Sequence, residues 1–148
     1  MKTISAMVVA TLLCSCGPDM GGSETYNSSV INNSGVSVEV IPYSDGIFRK
    51  DKKVIINNAQ KINKVHTFDR GGPLRMIVVL FPDIRVNKID IIFNGTKKIT
   101  YEDCSPTNNC SAQPKNIFNN EFENERTEIY TITAEDFQNA TDCGGNCN

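Results

Sequence analysis

The stretch from Lys88 to Tyr101 constrains the fold more than any other part of the chain. Ile89, Ile91 and Phe93 alternate with other residues up to Asn94-Gly95, and Ile99 and Tyr101 share a face beyond it. This alternation matches the two-residue period of a strand. Asn-Gly supplies the consecutive positive φ angles of a type I′ turn, so the sequence predicts a β-hairpin. Lys97 and Lys98, beside the turn, are expected to be solvated rather than to form a binding patch.

Other segments follow the same pattern. Val36-Ser37-Val38-Glu39-Val40 alternates strictly, and Asn32-Asn33-Ser34-Gly35 reads as a hairpin connection to a preceding strand over Thr25 to Ile31. Arg75 to Phe81 is a continuous apolar run closed by Pro82. Its length and β-branched content predict a strand buried on both faces. Weaker strands around Lys53 to Asn57 and Ile62 to Phe68 are joined by a turn near Asn57-Asn58. Pro114 to Glu125 is polar and Asn-rich, the composition of a long irregular loop. Thr127 to Thr133 forms the last strand. Thr133-Ala134-Glu135-Asp136 then reads as an N-cap with an acidic first turn, opening a short helix through Ala140. The expected fold is all-β: an antiparallel sandwich or small barrel of about seven or eight strands with a short C-terminal helix.

A chain of 148 residues is a one-domain length. Lys and Arg total 15 against 17 Asp and Glu, a net charge of -2, which argues against nucleic-acid binding through bulk positive charge. Ahead of the strands, Met1-Lys2 carries one positive charge and Ile4 to Leu13 is mostly apolar. Such a stretch covers only about half of a bilayer's hydrocarbon core, which fits a signal-peptide core and not a spanning helix.

This apolar stretch runs into Leu13-Cys14-Ser15-Cys16-Gly17. An apolar residue three before Cys16 and a small one immediately before it resemble a bacterial lipoprotein signal. The resemblance implies cleavage after Ser15, a signal peptide over 1–15, and lipidation of Cys16 by more than one acyl chain, enough for stable membrane attachment. Gly17, in place of an acidic residue, implies by the same resemblance sorting to the outer membrane of the cell envelope. Residues 16–24 read as a flexible, Gly-rich tether and 25–148 as a single β-sandwich-like domain. The runs Ile91 to Tyr101 and Tyr130 to Phe137 also resemble small lipoproteins of Bacteroidota-type bacteria, a group without an assigned activity.

Four cysteines lie beyond the anchor: Cys104, Cys110, Cys143 and Cys147. In an exported chain they are expected to form two disulfides. Three pairings are possible. The local one, Cys104 with Cys110 and Cys143 with Cys147, is favoured because each pair flanks a turn-rich stretch. Each such loop contributes about 2 kcal/mol in the chain-entropy model. A four-cysteine zinc site fits less well: the spacing of Cys143 and Cys147 suits it, but Cys104-x5-Cys110 does not.

No catalytic pattern stands out. His66 is the single histidine, and strand alternation puts it on a face with Lys64 and Phe68, opposite Val65 and Thr67. Glu102 and Asp103 are adjacent and point opposite ways on a strand. Asp69-Arg70-Gly71-Gly72-Pro73 is ordinary turn chemistry. Gly-x-Ser-x-Gly, His-Glu-x-x-His and Walker motifs are absent. No cofactor, metal or catalytic residue is assigned. The expectation is a non-catalytic, membrane-anchored binding or adhesion module for an envelope protein or glycan, displaying loops such as Tyr43 to Arg49 and Ser105 to Asn120. The alternatives are a structural accessory of an envelope assembly and a carboxylate-dependent glycan hydrolase.

Overall fold

A computed structural model describes residues 22–69, 74–104, 110–119, 122 and 126–147. The strands are β1 (Glu24–Asn33), β2 (Val38–Ser44), β3 (Ile47–Phe48), β4 (Val54–Ile56), β5 (Lys61–Phe68), β6 (Lys88–Phe93), β7 (Lys97–Glu102), β8 (Thr127–Thr133) and β9 (Thr141–Asp142). Two short α-helices, α1 (Met76–Leu80) and α2 (Ala134–Asn139), and two 3-10 turns at Lys50–Lys52 and Cys110–Ala112 complete the described elements. Sheet A has the order β5-β1-β8, and sheet B runs β3-β2-β6-β7-β9 with β4 also on β2. The fold is an all-β sandwich with a short C-terminal helix. Pairing is antiparallel except between β1 and β8, which run parallel.

The β6–β7 hairpin forms where Asn-Gly placed it. Asn94 and Gly95 have φ of 48° and 70°, and the Thr96 N–H donates to the Phe93 carbonyl at 3.0 Å. Ile89, Ile91 and Phe93 face the core between the sheets, with Val38 and Val40 of β2 and Val30, Tyr130 and Ile132 of sheet A. The helix after β8 is held by a reciprocal capping box: the Thr133 hydroxyl accepts from the Asp136 N–H, and the Asp136 carboxylate accepts from the Thr133 N–H.

Three expectations are corrected. Met76-Ile77-Val78-Val79-Leu80 is not a strand but the helix α1. Nearly all of its side chains are buried, and it fills the open side of the sandwich against β1 and β5. A single helical turn satisfies its own carbonyls there, with the Phe81 N–H on Ile77, where a lone strand would have no ladder partner. Burial from several directions overrides the β preference of the valines.

Second, β1 and β2 are not a hairpin, since they lie in different sheets. Between them only Gly35 has a positive φ, at 90°, so the consecutive pair that a type I′ turn needs is missing. The chain instead crosses from one layer to the other. Third, Lys97 and Lys98 are not simply solvated. Lys97 lies 5.3 Å from the Phe137 ring centroid and donates to the Phe137 and Gln138 carbonyls at the end of α2. The Lys98 ammonium is 3.6 Å from the buried carboxylate of Asp90.

The opposite open side, between β7 and β8, is closed by the stretch after Cys110. Pro114 to Asn119 is irregular, as its composition predicts, yet it inserts Ile117 and Phe118 into the core. Asn116 is fully buried beneath it, donating to the Glu102 carbonyl at 3.0 Å and accepting from the Phe118 N–H at 3.0 Å.

Candidate functional site

Strand directions define two ends of the sandwich. β1 starts at Glu24, and the partners of that end are Phe68 of β5 and, close by, Arg126 before β8. The turn at Asp45-Gly46 between β2 and β3, the start of β6 and the end of β7 share this near end in sheet B. The far end holds Asn33 to Ser37, Asn57 to Gln60, Asn94 to Thr96 and the segment from Cys143 to Cys147. The loop from Tyr43 to Arg49 therefore lies at the near end, where the expected tether joins β1. Residues 105–109 and 120 of the second expected display loop lie outside the described residues, as do Cys16 and the loop 70–73.

The turns of the far end carry no charged side chain. Asn32 locks them together and is fully buried. Its amide NH2 donates to the carbonyls of Val36 and Ile56 at 2.7 and 2.8 Å, tying sheet A to the connection that leads into β2 and to β4 of sheet B. Its side-chain oxygen accepts from the N–H and hydroxyl of Ser34 at 3.0 and 2.7 Å. All four of the amide's hydrogen-bonding positions are thus used, which is what burial of a primary amide demands. Around it, Asn58 accepts from the Gly35 N–H at 2.9 Å, and the Asn94 N–H reaches the Ser37 carbonyl at 2.9 Å. The result is a fixed, neutral surface of amides, hydroxyls and backbone groups.

A second polar cluster sits on the outer face of sheet B. Asp90 is wholly buried there, and accepts from the Thr100 hydroxyl at 2.6 Å and the Tyr43 hydroxyl at 2.9 Å. Burial, followed by the hydrogen bond and charge of Asp90, pushes the Tyr43 phenol up to about 12. The Lys88 ammonium stands 4.7 Å from the Tyr43 ring centroid, and Phe48 packs edge-on against the same ring. Beside this cluster Ile41 and Ile92 are covered by Cys147, with Phe48 and Cys143 around them.

The cysteines pair as Cys104–Cys110 and Cys143–Cys147, with Cα separations of 5.4 and 5.1 Å. The first disulfide lies under the near end, where Asn116 donates to the Cys110 sulfur at 3.1 Å. The second pins the chain terminus to the β6–β7 turn, the Cys143 N–H donating to the Thr96 carbonyl at 2.9 Å. Each end of the sandwich thus has one disulfide and one buried asparagine.

The residues weighed for chemistry do not converge. His66 faces the inter-sheet side of edge strand β5, its ring 4.3 Å from that of Phe68. Asp103 is paired with Arg75 at 2.6 Å while Glu102 is exposed. Glu135 and Asp136 lie in the first turn of α2, where Asp136 completes the capping box and also binds Lys115 at 2.7 Å. Among the described residues no group of three or more His, Cys, Asp or Glu gathers into a metal-binding arrangement. Sequence reasoning missed Asn32 and Asp90. A clue to Asp90 existed: it is the only acid in the apolar run Ile89-Asp90-Ile91-Ile92-Phe93. The comparisons give no family to join these features to: no protein-family model, curated protein or solved structure matches the chain.

Proposed function

We propose that this chain is an exported, lipid-anchored cell-envelope protein, attached through Cys16, whose sandwich is a non-catalytic binding module. Its ligand is a neutral envelope glycan or the uncharged surface of an envelope protein. The observation carrying this reading is the direction of β1. The expected tether enters at Glu24, and ten residues later the same strand delivers the chain to the uncharged turns of the far end, beside the start of α2 with its Glu135 and Asp136. At about 3.4 Å per residue the strand spans roughly 30 Å, so ligand and lipid would sit at opposite ends of the domain. Amides and hydroxyls held by Asn32 offer the donors and acceptors that sugar hydroxyls or peptide groups require, with no charge to desolvate.

Crosslinking in intact cells tests it, together with acyl labelling of Cys16→Ala. The labelled lipid should disappear from that variant and the protein should leave the membrane fraction. Asn57→Lys with Gln60→Lys, at the exposed far end, should abolish the crosslinked species, while Ile47→Lys at the near end should keep it. Retained acyl label in Cys16→Ala sinks the anchor. Equal crosslinking by the far-end and near-end variants sinks the assigned surface.

A further inference from the structure

We propose that the open edge of β5 is a second recognition site, which takes an extended acidic peptide by strand addition. Three features meet there. β5 pairs with β1 along its whole length, and among the described residues no strand lies on its other side. Its outward N–H and C=O groups are therefore a template for another strand. The edge is eight residues long, longer than any other strand but β1. It runs beside a cleft of about 350 Å³ between the two sheets, the size of a small-ligand pocket.

The cleft has an apolar floor and a basic rim. Val54, Leu80 and Phe81 lie in the floor, and Lys52, Lys64 and His66 stand around it with a single carboxylate, the exposed Asp83. Lys64 and His66 are opposite buried Ser28 and Tyr26 of β1, so they project on the inter-sheet side, where an edge strand normally carries apolar residues. Lys64 and Lys61 have no ion-pair partner among the described residues, and Lys52 has only the exposed Asp83 at 3.5 Å. A strand added to β5 would place alternate side chains beside Lys64 and His66. One apolar side chain would enter the cleft, and acidic neighbours would meet the lysines.

The same lysines choose among occupants. Two copies pairing through their β5 edges would bring like charges together, which disfavours self-association. An acidic strand turns that repulsion into attraction, so one device gives both protection and specificity. This site is separate from Cys16 and, apart from Lys61 beside Gln60, from the far end, so Lys64→Glu on its own tests it without touching the proposed function.

The test uses the full chain and fluorescein-labelled peptides of alternating Asp and Val, alternating Lys and Val, and Asp-Val interrupted by Pro. Fluorescence anisotropy should show the acidic peptide binding about tenfold or more tighter than the basic one. Amide exchange should slow in Lys61 to Phe68 when it binds. Lys61→Glu with Lys64→Glu should reverse the preference, and the Pro-interrupted peptide should lose binding because it cannot continue the ladder. Equal affinity for acidic and basic peptides, protection confined to another strand, binding that survives the proline, or concentration-dependent pairing of the chain through β5 would each overturn the proposal.

Discussion

The Tyr43 hydroxyl donates to the Asp90 carboxylate at 2.9 Å across the β2–β6 pair, on a face of sheet B that would otherwise meet solvent. With Thr100 on its other oxygen, the carboxylate is buried yet served from both neighbouring strands. Thr100→Val removes a donor from a buried charge while keeping the side-chain shape. It should lower stability by about 1–3 kcal/mol, read from the denaturant midpoint at constant slope.

Alkaline pH reports on the same contact. Tyr43 titrates at about 12 in the folded protein against an ordinary 10.0. Below the lower value the phenol is neutral in both states and its contribution is fully present. As pH rises between the two values the unfolded chain ionises first, so stability falls. Tyr101 and Tyr130, raised mainly by burial, add a loss of the same sign. The informative quantity is therefore the difference between the native chain and Tyr43→Phe, whose alkaline loss should be smaller.

Asn32 and Asn58 sit in the same cluster of turns but should behave differently. Asn32→Ala takes its donor from the buried contact to the Ile56 carbonyl and one of two donors from the Val36 carbonyl, which keeps the Ser34 hydroxyl at 3.1 Å, and should cost about 1–3 kcal/mol. Asn58 serves a single exposed backbone N–H, so Asn58→Ala should cost about 1 kcal/mol or less. Urea unfolding of the two variants decides the order. Equal losses would mean that Asn32 does not join the two sheets.

At the other side of the far end, Thr133→Ala breaks the capping box at the start of α2. The expected loss is about 1 kcal/mol, within the usual range for such caps. Lys115 still binds both Asp136 oxygens, at 2.8 and 2.7 Å, so the helix should remain docked. Circular dichroism at fixed temperature should show little change while the thermal midpoint drops.

Replacing Cys143 and Cys147 together by Ser should cost about 2 kcal/mol, and so should replacing Cys104 and Cys110. The pairs occupy opposite ends and share no partner, so the two losses should add. Amide exchange distinguishes them: the first double variant should lose protection at Cys143, whose N–H pairs with Thr96. The second should loosen the segment around Asn116 and Phe118.

Local signals were legible in the sequence. Asn94-Gly95 placed the hairpin, and Thr133 with Asp136 placed the helix, because both depend on residues within a few positions of one another. Local cysteine spacing likewise matched the pairs that are bonded. Long-range choices were not legible. The connection at Asn32 to Gly35 has hairpin composition, but which sheet β2 joins depends on Ile91 and Phe93, more than fifty residues later. Met76 to Leu80 has strand composition, but its form depends on the gap between β5 and sheet B that it fills. The far-end surface escaped notice for the same reason. Its turns are scattered along the chain, and only Asn32, seen folded, draws them together.

The place of β1 in sheet A has a mechanical consequence. It is the central strand, paired along one edge to β5 and along the other to β8. A pull on Glu24 along the strand would load both ladders lengthwise, with many hydrogen bonds sharing the force at once. The two-residue strands β3 and β9, by contrast, could be peeled away one bond at a time. A domain hung from its first strand would therefore bear tension in shear rather than by unzipping.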